Sequence, residues 1–293
     1  MFKKHFMQAV VATAAIILAG CGSTSTTSNE QVDAQPTTHR IVATTSAVTT
    51  ILDALDLDVV GVPTTANEIP ARYKDATQVG NPMSPDVEII ASLQPTEVFS
   101  VTSLQTDLEP AFQQVNIPST FVNLQGLQQM TDAIMDIGNR YDRKNEATQL
   151  VTSLETKIDQ LAASVEGREK PKVLILFGIP GSYLVATENA YIGDLVRLAG
   201  GENITFGAEP EYLASNTEYL QQSNPDVILR MAHGMPEQVV EMFNEEFKTN
   251  DIWKHFNAVQ NDRVYDLEEP LFGTTATLEV TTALEQLIEI LYP

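Results

Sequence analysis

The chain has 293 residues, of which 43% are hydrophobic and 19% charged, a balance typical of a globular protein with one large or two medium domains. Its formal net charge is −22, and an acidic surface repels phosphate backbones, so the composition argues against nucleic acid as a partner.

Residues 1–20 have the pattern of a secretory signal peptide. Two lysines, Lys3 and Lys4, precede a mostly apolar run from Met7 to Leu18, which is too short to span a bilayer. The following Leu-Ala-Gly-Cys resembles the lipobox of bacterial lipoproteins, with Cys21 as the acylated residue. Cys21 is the single cysteine, so it cannot form an internal disulfide, although an ordinary signal with an incidental cysteine is the alternative. Residues 21–38 have no apolar period and are predicted to be a flexible tether.

From Arg40 onward, short β-rich runs alternate with helical patterns, which predicts an α/β fold with largely parallel sheets. The predicted strands are Arg40–Thr44, Asp58–Val62, Glu97–Val101, Ser119–Val122, Lys172–Phe177, Ser182–Val185, Asp226–Arg230 and Arg263–Asp266. Two halves of this pattern resemble each other, because Glu88 precedes Pro95 by the same seven residues that separate Glu218 from Pro225.

Residues 143–167 separate the two halves and are predicted to form one long helix. Leu150, Leu154, Ile158 and Leu161 recur at helical spacing, and Gly167 is a plausible stop. The predicted architecture is therefore an amino-terminal lobe of residues 39–142, a connecting helix of residues 143–167 and a carboxy-terminal lobe of residues 168–293. A single stiff helix between lobes predicts small hinge motion on ligand capture.

The sequence offers little for catalysis, so the chain is predicted not to be an enzyme. The Gly178–Ser182 turn lacks the Gly-Lys-Ser/Thr of a phosphate loop, and no Gly-x-Ser-x-Gly nucleophile elbow is present. Beyond the predicted signal peptide there are three histidines, of which His39 and His255 are most simply explained as surface or packing residues.

His233 and Met83 occupy unusual positions. His233 follows a predicted strand, where open α/β sheets bind ligands, and Met83 lies between Pro82 and Pro85 in a stiff loop. A loop methionine packed under its own lobe remains the alternative for Met83. One residue lies in each half, and a thioether and an imidazole on opposite faces of a macrocycle would give six-coordinate haem.

Met231 and Met235 are rival sulfur ligands, but they lie beside His233 in the same half. Haem also carries two propionates, and no cluster of Lys and Arg is present to bind them. The residues Thr44, Thr45, Ser46 and Ala47 open a predicted helix whose free backbone N–H groups could bind an anion. Thr64, Thr65 and Ala66 form a second candidate loop, and helix capping is the alternative for both segments.

Several unusual runs now identify a resemblance that covers Arg40 to Tyr292. They are Gly80-Asn-Pro-Met-Ser-Pro85, Val173-Leu-Ile-Leu-Phe-Gly-Ile-Pro-Gly-Ser-Tyr-Leu-Val-Ala186, Tyr191-Ile-Gly-Asp-Leu195, Ala199-Gly-Gly-Glu-Asn203, His233-Gly-Met-Pro-Glu237, Asn250-Asp-Ile-Trp-Lys-His255 and Val264-Tyr-Asp-Leu-Glu-Glu269. In these runs the chain resembles the haem-receptor lipoproteins of the iron-regulated surface determinant system. One departure is Ser84, where relatives carry a charged residue.

The resemblance implies a bilobal substrate-binding protein of the helical-backbone class that binds one haem b per chain. It implies axial ligation by Met83 and His233, and propionate contacts around residues 44–47 and 64–66. It also implies docking on an ABC permease through Glu88 and Glu218.

The implied partners are haem, the permease with its ATPase, cell-wall haem-shuttle proteins and, through the lipid anchor only, the membrane. The expected location is the outer face of the cytoplasmic membrane of a Gram-positive bacterium, as a monomer. A receptor for a ferric siderophore or a corrinoid is the alternative function.

Overall fold

The structure, a computed structural model, describes residues 39–233, 235–269 and 271–293, without the side chains of residues 217–219. The predicted signal peptide, Cys21 and the predicted tether lie outside the described residues.

The first half contains a five-stranded sheet whose neighbouring strands are all parallel, in the order β3-β2-β1-β6-β7. A separate antiparallel pair, β4 and β5, lies outside this sheet. The elements are β1 (Ile41–Ala43), α1 (Ser46–Ala54), β2 (Val59–Val62), β3 (Thr77–Gln78), β4 (Gly80–Asn81), β5 (Ser84–Pro85), α2 (Val87–Ser92), β6 (Glu97–Val101), α3 (Gln105–Gln114), β7 (Ser119–Val122) and α4 (Leu127–Arg140). Short 3₁₀ turns occur at Ala71–Tyr73 and Thr102–Leu104.

The connecting element is α5 (Lys144–Ser164), a helix of 21 residues that lies within the interval predicted from sequence. One face of α5 is apolar, and its buried residues include Val151, Leu154 and Ile158. The helix ends before Gly167, whose φ of +77° suits a residue without a Cβ.

The second half contains a larger, mixed sheet in the order β11-β9-β8-β12-β13, with β10 paired to β8. Strands β8, β10, β12 and β13 are parallel, whereas β9 is antiparallel to both of its neighbours, β8 and β11. A tight turn at Gly181 folds β9 back on β8. The elements are β8 (Lys172–Ile179), β9 (Ser182–Ala186), α6 (Tyr191–Leu198), β10 (Glu202–Asn203), β11 (Tyr212–Ala214), α7 (Thr217–Ser223), β12 (Val227–Ala232), α8 (Pro236–Thr249), α9 (Asn257–Gln260), β13 (Val264–Leu267) and α10 (Val280–Leu291), with a 3₁₀ segment at Asp251–His255.

The two sheets confirm the predicted α/β class, and one hydrophobic core extends across both of them. Phe99 of the first sheet, Ile175 of the second, Ile158 of α5 and Leu284 of α10 belong to the same cluster of buried residues. Two smaller clusters lie on the outer faces of the sheets. Residues 39–293 accordingly form one compact unit.

Candidate functional site at the carboxyl edges of the two sheets

The predicted site residues of the first half lie at one edge of its sheet. Strands β1, β2 and β3 are parallel, so their carboxyl ends meet at the same edge. Thr44 follows β1, the loop from Thr64 to Ala66 follows β2, and the hairpin that carries Met83 follows β3. Ligands of open α/β sheets bind at this edge.

Met83 lies at the turn of the β4–β5 hairpin. Its backbone N–H donates to Oδ1 of Asn81 at 2.9 Å, and the amide of Thr64 donates to the carbonyl of Gly80 at 2.8 Å, which fastens the hairpin to the loop after β2. The Met83 side chain is 70% exposed. This exposure rules out the alternative that the thioether packs beneath its own lobe, and it leaves the sulfur accessible.

His233 directly follows β12, at the carboxyl edge of the second sheet. Its backbone N–H donates to the carbonyl of Gly178 at 2.9 Å, and its ring stacks on Phe177 with centroids 5.6 Å apart. The ring nitrogen Nδ1 is buried and lies 2.8 Å from Oε1 of Glu269, in a close contact whose angle is not that of a hydrogen bond. Because the side chain as a whole is 42% exposed, the accessible part of the ring is the Nε2 side.

The imidazole of His233 packs on Phe177, which in turn packs on Tyr212. Phe177 contacts Tyr212 with ring centroids 4.7 Å apart. Burial, with a smaller contribution from the negative charge of Glu211, raises the pKa of Tyr212 to about 12, so its phenol is uncharged at neutral pH. The surroundings of His233 therefore combine an apolar aromatic wall with the nearby carboxylate of Glu269.

In the segment that opens α1, Thr44 and Thr45 form hydrogen bonds within the fold, whereas Ser46 and Ala47 form the first turn of the helix. Thr44 is fully buried, and both its N–H and its hydroxyl donate to the carbonyl of Phe99, at 3.0 and 3.2 Å. Thr45 caps the helix, since its hydroxyl accepts from the amide of Val48 at 3.4 Å. Ser46 and Ala47 then form the first turn, where backbone N–H groups have no intrahelical acceptor.

A cavity of about 350 Å³ lies at the start of α1. Ser46, Ala47 and Ala66 line it, as predicted residues from two different loops. The sequence did not predict the other lining residues, which are Thr50 of α1, Asn67, Glu68 and the segment Thr277–Glu279 that precedes α10. Asn67 follows the predicted loop by one residue, whereas the contribution of the distant segment depends on tertiary packing.

Asn67 connects the two candidate propionate loops. Its side-chain amide donates to the hydroxyl of Ser46 at 3.1 Å, and its backbone N–H donates to the hydroxyl of Thr65 at 3.1 Å. The polar groups of Thr64 already have partners within the lobe. Its amide donates to the carbonyl of Gly80 in the hairpin, and its hydroxyl donates to the side-chain oxygen of Gln78 at 3.3 Å. Thr64 and Thr44 thus organise the edge, Ser46, Ala66 and Asn67 form its accessible surface, and the buried Ala47 lines the cavity beneath them.

The predicted docking residues lie on short helices. Glu88 is exposed in the first turn of α2, which Asp86 caps by accepting from the amides of Glu88 and Ile89. Glu218 belongs to α7, and its side chain lies outside the described part of the protein.

A larger cavity, of about 780 Å³, lies beside α5 and contains none of the predicted site residues. Its walls are polar and mostly acidic or amidic, which is a poor match for a flat apolar cargo. Across residues 39–233, 235–269 and 271–293, no group of three or more His, Cys, Asp and Glu side chains is arranged to hold a metal ion. None of the helices described above combines the length and the apolarity needed to cross a membrane.

Comparison with known proteins places this architecture among solute receptors. The periplasmic binding protein family matches residues 41–271. The high-affinity heme uptake system protein IsdE of Staphylococcus aureus strain Newman is 45% identical over 286 residues, which cover 97% of this chain and 96% of that protein.

Two solved structures share the fold closely. An ABC transporter substrate-binding protein from Listeria monocytogenes EGD-e is 53% identical, with a TM-score of 0.83, and the match covers 87% of this chain and 98% of that chain. The crystal structure of S. aureus IsdE complexed with heme is 46% identical, with a TM-score of 0.83, and covers 87% of this chain and 99% of that chain.

Proposed function

Because this chain belongs to the periplasmic binding protein family, and to the group of IsdE-like receptors within it, we propose that it binds haem and delivers it to an ABC permease for iron acquisition. Such a protein binds and hands over its cargo without transforming it, so the chain is not an enzyme. Haem is the cargo here, one molecule per chain. The proposed receptor consists of lobes 39–142 and 168–293 with residues 143–167 between them.

The observation that supports haem as the cargo most directly is the exposure of two side chains, Met83 and His233. Met83 presents an exposed thioether after the first sheet, and His233 presents the Nε2 side of its imidazole after the second. Haem iron accepts such a Met/His pair as its two axial ligands. Ligating histidines generally have their second nitrogen beside a carboxylate or carbonyl, as His233 has beside Glu269.

In the proposed complex, different residues would contact the iron and the propionates of haem. Phe177 and Glu269 orient the imidazole, and the hairpin turn fixed by Asn81 orients the thioether. The first-turn amides of α1, at Ser46 and Ala47, favour negative charge and are proposed to receive a propionate. No Lys, Arg or His lines the cavity there among the described residues, so neutral donors carry that contact.

Spectroscopy of two variants tests the ligation. We expect Met83→Ala and His233→Ala each to release haem faster and to shift the Soret band, because each loses one axial ligand. Met235→Ala and His255→Ala are matched controls, since both replace exposed residues of the same types outside the proposed pair. An unchanged Soret band in both Met83→Ala and His233→Ala would rule out axial ligation by these residues.

The same proposal assigns docking on the permease to Glu88 and Glu218, one from each lobe. Carboxylates such as that of the exposed Glu88 can pair with basic residues of a partner. The double variant Glu88→Ala/Glu218→Ala is expected to bind haem normally and to fail in cellular haem uptake. Glu155→Ala, an exposed carboxylate on α5, provides the control. Normal uptake by the double variant would reject the docking role.

Acylation of Cys21 would hold the receptor at the outer face of the cytoplasmic membrane of a Gram-positive bacterium, as a monomer on a tether of residues 21–38. There it would receive haem from cell-wall shuttle proteins and pass it to the permease and its ATPase.

A further inference from the structure

The methionines of this protein differ sharply in exposure. Of the six that the structure describes, Met130 and Met231 are 0% and 2% exposed, whereas Met83 and Met235 are 70% and 55% exposed. Met135 and Met242 are intermediate. We propose that Met83 is an oxidation site, and that its conversion to the sulfoxide by a hydroperoxide prevents the empty receptor from capturing haem.

The chemistry requires only an accessible thioether and a peroxide. The sulfur of Met83 attacks the distal oxygen of the hydroperoxide, an S–O bond forms as the O–O bond breaks, and the proton of the transferred oxygen passes to the leaving oxygen. Sulfur gives up two electrons, the peroxide is reduced to water or an alcohol, and the product is methionine sulfoxide. Oxidation of methionine follows access to the sulfur, and among the described residues no element covers this side chain, which is 70% exposed in the hairpin turn.

Oxidation would weaken haem binding because the Met83 sulfur is an iron ligand in the proposed function, on which this inference rests. A sulfoxide has lost one of the two sulfur lone pairs and carries a polar oxygen on the atom that would face the iron. The oxidised side chain is therefore a poorer axial ligand than the thioether, and it presents a polar group to the flat apolar cargo. Haem bound through His233 alone would be five-coordinate and would dissociate more readily.

Met235 provides an internal comparison. It is exposed and adopts a left-handed backbone conformation with φ of +55° at the start of α8, two residues beyond His233. It should oxidise alongside Met83, yet it is not one of the proposed iron ligands. Loss of haem capture on oxidation should consequently depend on Met83 and not on Met235.

The experiment treats the haem-free mature protein with hydrogen peroxide, removes the peroxide, and then titrates with haem. Peptide mass spectrometry is expected to show addition of one oxygen at Met83 before any at Met130. The treated protein should bind haem at least tenfold more weakly than the untreated protein, with a shifted Soret band. Methionine sulfoxide reductase should restore both binding and spectrum.

Two variants make the outcome decisive. Met235→Leu is expected to bind haem normally before treatment and to lose binding after it, as the wild type does. Met83→Leu is expected to bind haem weakly from the start and to change no further with peroxide. Full haem binding by protein that carries the sulfoxide at Met83, or oxidation of Met130 ahead of Met83, would overturn the inference. Failure of the untreated wild type to bind haem would instead overturn the proposed function.

Discussion

At the scale of single residues, the contact between His233 and Glu269 is the feature that most constrains the site. Nδ1 of His233 is buried and lies 2.8 Å from Oε1 of the Glu269 carboxylate, so rotation of the ring would break this contact. The carboxylate beside Nδ1 restricts the orientation of the ring and leaves the opposite nitrogen, Nε2, as the one available to a metal. Glu269 is therefore a positioning residue for the proposed ligand.

Replacing Glu269 by Gln tests this role. We expect Glu269→Gln to fold normally and to release haem about 10-fold faster, because loss of a carboxylate beside a ligating histidine typically weakens metal binding by that order. The measurement is the rate of haem transfer to an excess of a haem-capturing protein. Glu268→Gln, an exposed neighbour, should release haem at the wild-type rate. Equal rates in both variants would show that Glu269 does not act on His233.

At the scale of elements, two helix starts face the same cavity. Ser46 and Ala47 open α1, Glu279 directly precedes α10, and all three line the space of about 350 Å³. Both helices point their positive ends at it, which favours an anion such as a propionate. Glu68 and Glu279 also line it, and their negative charges oppose the same anion.

This opposition predicts that the double variant Glu68→Gln/Glu279→Gln binds haem more tightly than the wild type. Charges about 7 Å apart in water interact by roughly 0.6 kcal/mol, so each removed carboxylate should tighten binding about threefold at low salt. The dimethyl ester of haem, which lacks the propionate charges, should bind both proteins equally. Glu155→Gln is the control variant. An equal gain with the ester would show that propionate charge is not what these carboxylates oppose.

The sequence predicted most of the long elements, because their hydrophobic periods are strong. Strands β6 and β7 begin and end as predicted, while β12 extends two residues further, through Met231 and Ala232. The two-residue strands β4 and β5 were missed, since Pro82 and Pro85 removed the usual strand signal around Met83. The Met83 loop was nevertheless singled out, because prolines on either side of a methionine are unusual.

Other features could not be predicted because they depend on contacts between distant segments. The amide of Ala276 donates to the carbonyl of Leu124 at 2.7 Å, and the side chain of Gln125 donates to Glu211. The sequence around these four residues contains no periodicity or motif that would predict either contact. The buried role of Thr44 was missed for the same reason, since its hydroxyl bonds Phe99 on a neighbouring strand, 55 residues away.

At the scale of the whole molecule, the core that runs through both sheets and α5 resists separation of the lobes. Opening a hinge would expose residues such as Ile158 and Leu284, which belong to one buried cluster. The ion pair between Lys157 of α5 and Glu285 of α10, 2.6 Å long, adds a contact across the same junction. Exposure of buried apolar area costs about 25 cal/mol per Å², so wide opening is unfavourable.

We therefore expect haem capture to leave the overall dimensions nearly unchanged. Small-angle X-ray scattering of the haem-free and haem-loaded protein should give superimposable curves. A receptor whose lobes are joined by flexible strands would serve as the positive control for closure. A clear decrease in the radius of gyration on loading would contradict the single-core argument.

The position of β1 has a mechanical consequence. This strand is hydrogen-bonded on both sides, to β2 and β6, and the guanidinium of Arg40 at its start bonds the carbonyl of Leu93. In the proposed receptor, tension on the tether of residues 21–38 would be applied at this end of β1. Such tension acts along β1 and therefore shears its pairings with β2 and β6. Under shear, the hydrogen bonds of both pairings must break together and not one after another. The anchor can thus be stretched without unravelling the lobe to which it is attached.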